Sequence, residues 1–313
     1  GRKFMKKLVS TSNLRHEEWL RYRKFGIGGS DAGAICGLNP YRTATQVYFD
    51  KTSDAVEDTD NEAMRQGRDL EDYVAQRFMQ VTGKKVRRAN AIFYHEEYPF
   101  LLANIDRMVS GENAGLECKT ASPYLAEKWK DEEIPMHYQV QCYHNMAVCN
   151  AEAWYIAVLI YGREFKFHRI ERDEQVIADL IQIEKDFWER NVQNHTLPDP
   201  DGSQIADTAI AEYFQNSKPI HILLPDFFDQ QLERREKLIS TINQVEQEKK
   251  RIEQELKIYM GEAETARSSQ FQVSWKTVDS IRVDAKKLKE EEPEVYKKYQ
   301  KSIHSRKFII NVA

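Results

Sequence analysis

Four side chains, Glu71, Asp106, Glu117 and Lys119, carry the strongest chemical signal in this sequence. Three carboxylates offer hard oxygen ligands to a divalent cation such as Mg2+, which prefers octahedral oxygen coordination and keeps several of its waters. A cation held there lowers the pKa of a bound water and clamps a departing oxygen. An ammonium beside it can orient the attacking water or stabilise the negative charge crowding onto phosphorus. The set is the one a hydrolytic phosphodiesterase needs. A Glu-x-Lys tripeptide alone says little in a chain with 31% charged residues, so its context must carry the inference.

That context is a series of strands flanked by helices. From Glu62 to Val81, Leu70, Val74, Phe78 and Val81 recur at helical spacing, and Gly83 ends the helix. Glu71 lies beside this stripe. Strands follow at Ala91 to Tyr94, Leu101 to Val109 and Gly115 to Thr120. In the second, the two-residue period puts Ala103 and Ile105 on one face and Asp106 on the other. In the third, Leu116 and Cys118 share one face while Glu117 and Lys119 share the opposite one, so a carboxylate and an ammonium are co-facial, eleven residues after Asp106. A helix with Tyr124, Leu125 and Trp129 comes next, then one after Pro135 with Gln139, Tyr143 and Met146 along one side. Strands at 153–161 and 164–170 form a hairpin, and a helix spans about 173–194. This order predicts a mixed α/β or α+β layer fold. Neither a GxGxxG nor a Walker A motif is present, which removes support for dinucleotide or NTP chemistry.

Length and composition fit one catalytic domain with an appended module: 313 residues, 41% apolar. The boundary is predicted at the Pro-rich segment 197–202, giving a core of 1–197 and an extension of 198–313. No run approaches the roughly 18–20 apolar residues of a membrane span, and the N-terminal residues lack the apolar core of a secretory signal, so a soluble protein is expected. Four cysteines, Cys36, Cys118, Cys142 and Cys149, form no CxxC pair, which fits the reducing cytoplasm and packing roles. The net charge of -4 is not that of a simple nucleic-acid coat, so any DNA contact must use local patches. Candidates are Lys84, Lys85, Arg87 and Arg88, and Arg21, Arg23 and Lys24. Each run more often makes a solvated face than a binding site.

Two further regions are informative. Residues 13–25 read as a helix broken by Gly26-Ile27-Gly28-Gly29-Ser30-Asp31, where Ser30 or Asp31 can cap a short helix through Cys36. Such a glycine-rich approach to a helix start can admit a phosphate, although it also makes an ordinary turn. In the extension, Leu238, Ile242, Val245, Ile252, Leu256 and Tyr259 form a seam on a long helix at 226–262, interrupted by Lys249, for an antiparallel or intermolecular pairing. A strand at 270–278, a helix at 284–300 and a last strand at 306–312 are predicted after it. His137, His144 and His168 read as packed or hydrogen-bonded, and Trp154, Tyr155, Phe165 and Phe167 as hairpin core.

Five ordered motifs together resemble a known family: Arg23 with Gly26-Ile27-Gly28-Gly29-Ser30, then Gly67-Arg68-Asp69-Leu70-Glu71, Asn104-Ile105-Asp106, Glu117-Cys118-Lys119 and Tyr138-Gln139-Val140-Gln141. Over about residues 13–170 the chain resembles the YqaJ-type viral recombinases, relatives of lambda exonuclease among the PD-(D/E)xK nucleases. Ile105 stands where the family name has proline. The resemblance implies a PD-(D/E)xK core with a mixed sheet flanked by helices. It also implies that Glu71, Asp106, Glu117 and the Cys118 carbonyl hold Mg2+, with Mn2+ able to substitute, and that Lys119 is the catalytic lysine. Gln139 would support the lysine or substrate, with Gln141 competing for that role. Arg23 and Ser30 match the pair that holds a terminal 5′ phosphate in lambda-like enzymes. The implied activity is 5′-to-3′ digestion of linear double-stranded DNA ends, giving 5′ mononucleotides and a 3′ tail. A trimeric ring, a single-strand annealing partner and a phage or prophage origin in a bacterial host are implied as well. The rival readings are an end-independent PD-(D/E)xK endonuclease or repair nuclease of RecB type, and a DNA-binding scaffold without activity. The missing cysteine cluster argues against an iron–sulfur version.

Overall fold

Caps and glycines set the borders of the elements that matter most. The computed structural model describes residues 6–54 and 61–311, which fall into two compact units, 1–215 and 216–313. The first unit opens with β1 (Lys6–Ser10), α1 (His16–Arg23), β2 (Ile27–Gly28), α2 (Gly29–Ile35), α3 (Ala44–Thr52) and α4 (Glu62–Thr82). Strands β3 (Val86–Arg87), β4 (Ala91–Tyr94), β5 (Leu101–Asn104), β6 (Arg107–Val109) and β7 (Ala114–Ala121) follow. A 3-10 segment, Pro123–Glu132, leads to α5 (Met136–Cys149), β8 (Ala153–Ile160), β9 (Glu164–Glu171), α6 (Glu174–Asp186) with a π-helical continuation, and α7 (Gln204–Tyr213).

Helix α4 starts where the Asn61 side chain accepts the Met64 N–H and ends at Gly83, whose φ of 71° is the left-handed conformation that suits glycine. Its buried stripe is Val74, Ala75 and Phe78, while Val81 is half exposed. Glu71 continues this line one turn upstream. The stripe packs on Val109, Leu116, Tyr155 and Ala157. On the other side of β8, Cys142 and Met146 of α5 join Ile156 and Val158 in the larger core cluster. β8 is therefore covered on both faces, which explains its continuous apolar run, Ala-Trp-Tyr-Ile-Ala-Val-Leu-Ile.

The described residues of this unit form two sheets, ordered β1-β4-β5-β2 and β3-β6-β7-β8-β9. Both mix parallel and antiparallel pairs: β2 with β5 and β7 with β8 are parallel. The mixed α/β fold expected from the element order is thus present. The single strand expected over 101–109 is not. It breaks at Ile105–Asp106, with β5 in one sheet and β6 in the other. The β6–β7 ladder ends at the Arg107–Leu116 pair, and the next available N–H on β7, that of Cys118, goes to Asp106 Oδ2 at 2.8 Å. A side-chain carboxylate thus replaces the carbonyl that a continuing strand would have offered.

Helix α7 belongs to the first unit, since Tyr213 stacks on Phe49 of α3 at 4.1 Å between ring centroids. The unit closes at Gln215, beyond the predicted border at residue 197. In the second unit, α8 (Phe227–Met260) is followed by a small hairpin of β10 (Thr265–Arg267) and β11 (Gln272–Ser274), then α9 (Ala285–Glu291) and α10 (Pro293–Tyr299). The strand expected over 270–278 is only three residues long, and Pro293 divides the helix expected over 284–300. Residues 300–311 have no regular structure, so the expected last strand is absent, its end at Val312 lying outside the described residues. The seam residues Leu238, Ile242, Val245, Ile252, Leu256 and Tyr259 are exposed along α8.

Candidate active site

β7 delivers Glu117 and Lys119 to the face covered by α5, as the two-residue period requires. Lys119 Nζ lies 2.7 Å from Glu117 Oε1 and donates to Gln141 Oε1 at 3.0 Å. Gln141 Nε2 donates to the same Glu117 oxygen at 2.6 Å, and Asn145 Nδ2 reaches Glu117 Oε2 at 3.4 Å. The ammonium also lies 4.8 Å from the centroid of the Tyr138 ring. Burial pushes the Lys119 pKa down, but Glu117, Tyr138 and Asp106 outweigh it, and the net direction is upward. Lys119 is therefore an ammonium at neutral pH. As an ammonium it can stabilise negative charge or hold a water.

Asp106 stands at the junction of the two sheets. Burial, followed by the charges of Glu117 and Glu71, pushes its carboxyl well above the usual range. Glu71 arrives from α4, on the Leu116 and Cys118 side of β7, and meets Asp106 in a small cleft also lined by Arg88, Asn104 and Arg107. The Arg107 guanidinium fills part of this space. It is buried and donates to Glu71 Oε1, to Asp72 Oδ1 and, at 2.5 Å, to the Asp106 carbonyl. Among the described residues, no three carboxylate, His or Cys side chains close on one point tightly enough to hold an ion as they stand. The reason is visible in their partners: Arg107 holds Glu71, the Cys118 N–H holds Asp106, and Lys119 with Gln141 holds Glu117. The donor set itself fits a hard divalent cation. Glu117 and Glu71 both oppose the ionisation of the Asp106 carboxyl, and a cation would relieve that opposition.

Of the residues expected at the site, Asp106, Glu117 and Lys119 are brought together with the Cys118 backbone, and Glu71 adjoins them through Arg107. Gln139 is not among them. Its Nε2 donates to the Ile134 carbonyl at 2.7 Å, tying down the first turn of α5, and Gln141 takes the place beside the lysine. The rotation of α5 decides this, because Gln141 and Asn145, four residues apart, share the face turned to β7. Their polarity among Cys142, Met146 and Cys149 was the available signal. Arg107 gave none beyond its position next to Asp106.

Arg23 and Ser30 meet as a second cluster. Arg23 Nη2 is 3.3 Å from Ser30 Oγ, and the guanidinium lies 4.8 Å above the Trp19 ring. Ser30 is not the cap of α2. Gly28 holds that position, and its N–H is accepted by Asp31 Oδ2 at 3.0 Å. The two clusters adjoin: a Cβ placed on Gly29 would lie 2.8 Å from Asn145 Oδ1 and 3.1 Å from Gln141 Cγ. Only a residue without a side chain lets α2 approach α5 this closely, one position from Ser30 and one side chain from Lys119.

Of the expected basic patches, Lys84 pairs with Glu112, Arg88 with Asp72 and Arg21 with Glu17, so much of their charge is answered locally. His144 is buried between Glu184, 2.6 Å from Nδ1, and the Leu102 carbonyl, 2.7 Å from Nε2. His137 packs against Tyr138 at 4.0 Å between centroids, and burial together with Lys119 pushes its pKa down to about 4. Trp154 and Tyr155 are buried in the core. No helix among the described residues is long and apolar enough to cross a membrane.

Comparison with known proteins identifies the family. Residues 18–152, which contain every side chain described in both clusters, match the model of the YqaJ-like viral recombinase domain. The uncharacterized protein YqaJ of Bacillus subtilis (strain 168) is 39% identical over 307 residues, covering 96% of each chain. Among solved structures, an alkaline exonuclease from Laribacter hongkongensis is similar over 56% of this chain and 91% of its own, at 20% identity and a TM-score of 0.49. A phage-related exonuclease from Haemophilus somnus 129PT covers 55% of this chain and 96% of its own, at 12% identity and a TM-score of 0.43. By its full-length identity to YqaJ, this chain belongs to the YqaJ-like viral recombinase family.

Proposed function

We propose that this protein is a divalent-metal-dependent deoxyribonuclease that digests linear duplex DNA from its 5′ ends. The observation that carries the reading is the co-facial pair of Glu117 and Lys119, locked by Gln141, beside the crowded carboxyl of Asp106. Glu71, Asp106 and Glu117 would hold the cation, Mg2+ by preference with Mn2+ able to substitute, and the Cys118 carbonyl would complete the protein's share. A bound cation supplies an activated water and positive charge at the departing oxygen. Lys119 keeps its proton and places an ammonium where charge gathers on the phosphoryl oxygens. Gln141 and Asn145 hold Glu117 so that the ammonium keeps its place beside it.

Arg23 and Ser30 suit a terminal phosphate, the guanidinium offering a fork of donors and the serine a hydroxyl. The contact of Gly29 with Gln141 and Asn145 supports a short fixed spacing between that phosphate and the scissile bond. Such an arrangement favours stepwise release of 5′ mononucleotides and leaves a 3′ single strand. The family's recombinase character supports a single-strand annealing partner downstream, and a trimeric ring around the duplex is the assembly we favour. The test is digestion of 5′-phosphorylated, 5′-hydroxyl and closed-circular duplexes with Mg2+, with Lys119→Ala alongside. Faster loss of the phosphorylated linear DNA, absent in the variant, is expected. Equal cleavage of circles would replace this reading with an endonuclease, and cleavage unaffected by the variant would remove it.

A further inference from the structure

We propose that Lys51 is a positioning residue for end selection, holding Arg23 and Ser30 at the separation a terminal phosphate requires, with Asp31 as its anchor. The proposal rests on the phosphate-binding reading of Arg23 and Ser30. Lys51 lies near the end of α3, and its side chain is fully buried. Its ammonium has three donors, and each has a partner. Nζ lies 2.8 Å from Asp31 Oδ2 and 3.5 Å from Asp50 Oδ2, and it donates to the Arg23 carbonyl at 2.8 Å. One ammonium thus ties the backbone of Arg23 to the residue that follows Ser30. Asp31, also fully buried, answers with the Gly28 N–H at 3.0 Å and Arg42 Nη1 at 2.6 Å.

Joining α1 to α3 does not need this lysine. Lys24 already fastens the two helices, its Nζ donating at 2.8 Å to the carbonyls of both Asp50 and Ser53. Burying a lysine and an aspartate is costly, and apolar residues would fill the same space at lower cost. What the pair adds is a fixed geometry: the exposed Ser30 lies between buried Gly29 and Asp31, and Arg23 is pinned from beneath. The local charge agrees. Arg23, Arg42 and Lys51 face Asp31 and Asp50, an excess of cations over carboxylates. Among the described residues Arg23 has no carboxylate within ion-pair distance, and its contacts are Ser30 and the Trp19 ring. A phosphate dianion would meet a guanidinium that no carboxylate among the described residues already neutralises.

The experiment compares Lys51→Met, Asp31→Asn and Arg23→Gln with the unaltered protein. For each, initial rates and KM are measured on 5′-phosphorylated and 5′-hydroxyl linear duplexes, with circular dichroism melts to establish folding. The ratio of the two initial rates should fall roughly ten- to a hundredfold in Lys51→Met and Asp31→Asn, the scale set by misplacing a binding group by about an ångström. The fall should appear as a raised KM for phosphorylated ends. A folded Lys51→Met that keeps the unaltered ratio overturns the proposal. Should Lys51→Met not fold, Asp31→Asn decides alone, since it is isosteric and its amide oxygen can still accept the Gly28 N–H. An unaltered protein indifferent to the phosphate, or an Arg23→Gln variant with full discrimination, would instead remove the pocket itself and the clamp with it.

Discussion

Replacing Gln141 by alanine separates two glutamines on one helix, only one of which touches the lysine. Gln141 bridges Glu117 Oε1 at 2.6 Å and Lys119 Nζ at 3.0 Å, both hydrogen bonds to charged groups. Such a bond contributes about 1.5–3 kcal/mol. If the loss of one falls on the transition state, the rate drops about ten- to a hundredfold, since each 1.36 kcal/mol is roughly a factor of ten. Lys119 would still have Glu117 at 2.7 Å, so activity should be reduced and not abolished. The assay is single-turnover release of acid-soluble nucleotide from linear duplex DNA at saturating Mg2+, which isolates chemistry from binding. Gln139→Ala is the matched comparison. It removes a bond to the Ile134 carbonyl and should cost about 1 kcal/mol of stability while leaving the rate within a few-fold of the unaltered protein. An equal loss of rate in both variants, or none in Gln141→Ala, would refute the assignment of the α5 face to the site.

Arg107→Met should lower stability in urea melts by about 2 kcal/mol, because it strands Glu71, whose side chain is 29% exposed and so partly screened, while Asp72 keeps its pair with Arg88. An unchanged midpoint would show that the buried guanidinium does not hold Glu71. Gly115→Ala should destabilise the protein by about 1–3 kcal/mol, since its Cβ would lie 2.3 Å from the buried Trp154 ring. As Gly115 shares β7 with Glu117, the same variant should lose nuclease rate, and full rate with full stability would contradict the packing. A third prediction concerns acid. Burial raises the Asp31 pKa, but Lys51, Arg42 and Arg23 outweigh it and hold the carboxyl well below the usual range. The folded pKa lies beneath the unfolded one, so this stabilisation is complete above about pH 4 and is lost as pH falls below it. Asp31→Asn should therefore flatten the acid limb of stability against pH in urea melts, and an identical slope would count against the buried network.

Much of the site was legible in the sequence because it depends on local rules. The two-residue period of a strand places Glu117 with Lys119 whatever surrounds them, and the helical period carries Glu71 up to the edge of a stripe that ends at Gly83. Asn61 and Gly83 border α4 through contacts within a few residues, and the apolar run of β8 announces a strand buried on both faces. Three decisions were beyond reach of local rules. The break at Asp106 depends on a hydrogen bond to Cys118, twelve residues away on another strand. The choice of Gln141 over Gln139 depends on the rotation of α5 against β7, and α5 carries apolar residues on more than one side, so its periodicity left that rotation open. The network of Lys51, Asp31 and Arg42 joins α3 to the start of α2, and from sequence Asp31 reads only as a candidate helix cap. Sequence alone determined which chemical groups this protein presents and on which side of each element they stand. Tertiary packing decided which of them face one another, because burial and long-range hydrogen bonds have no fixed separation along the chain.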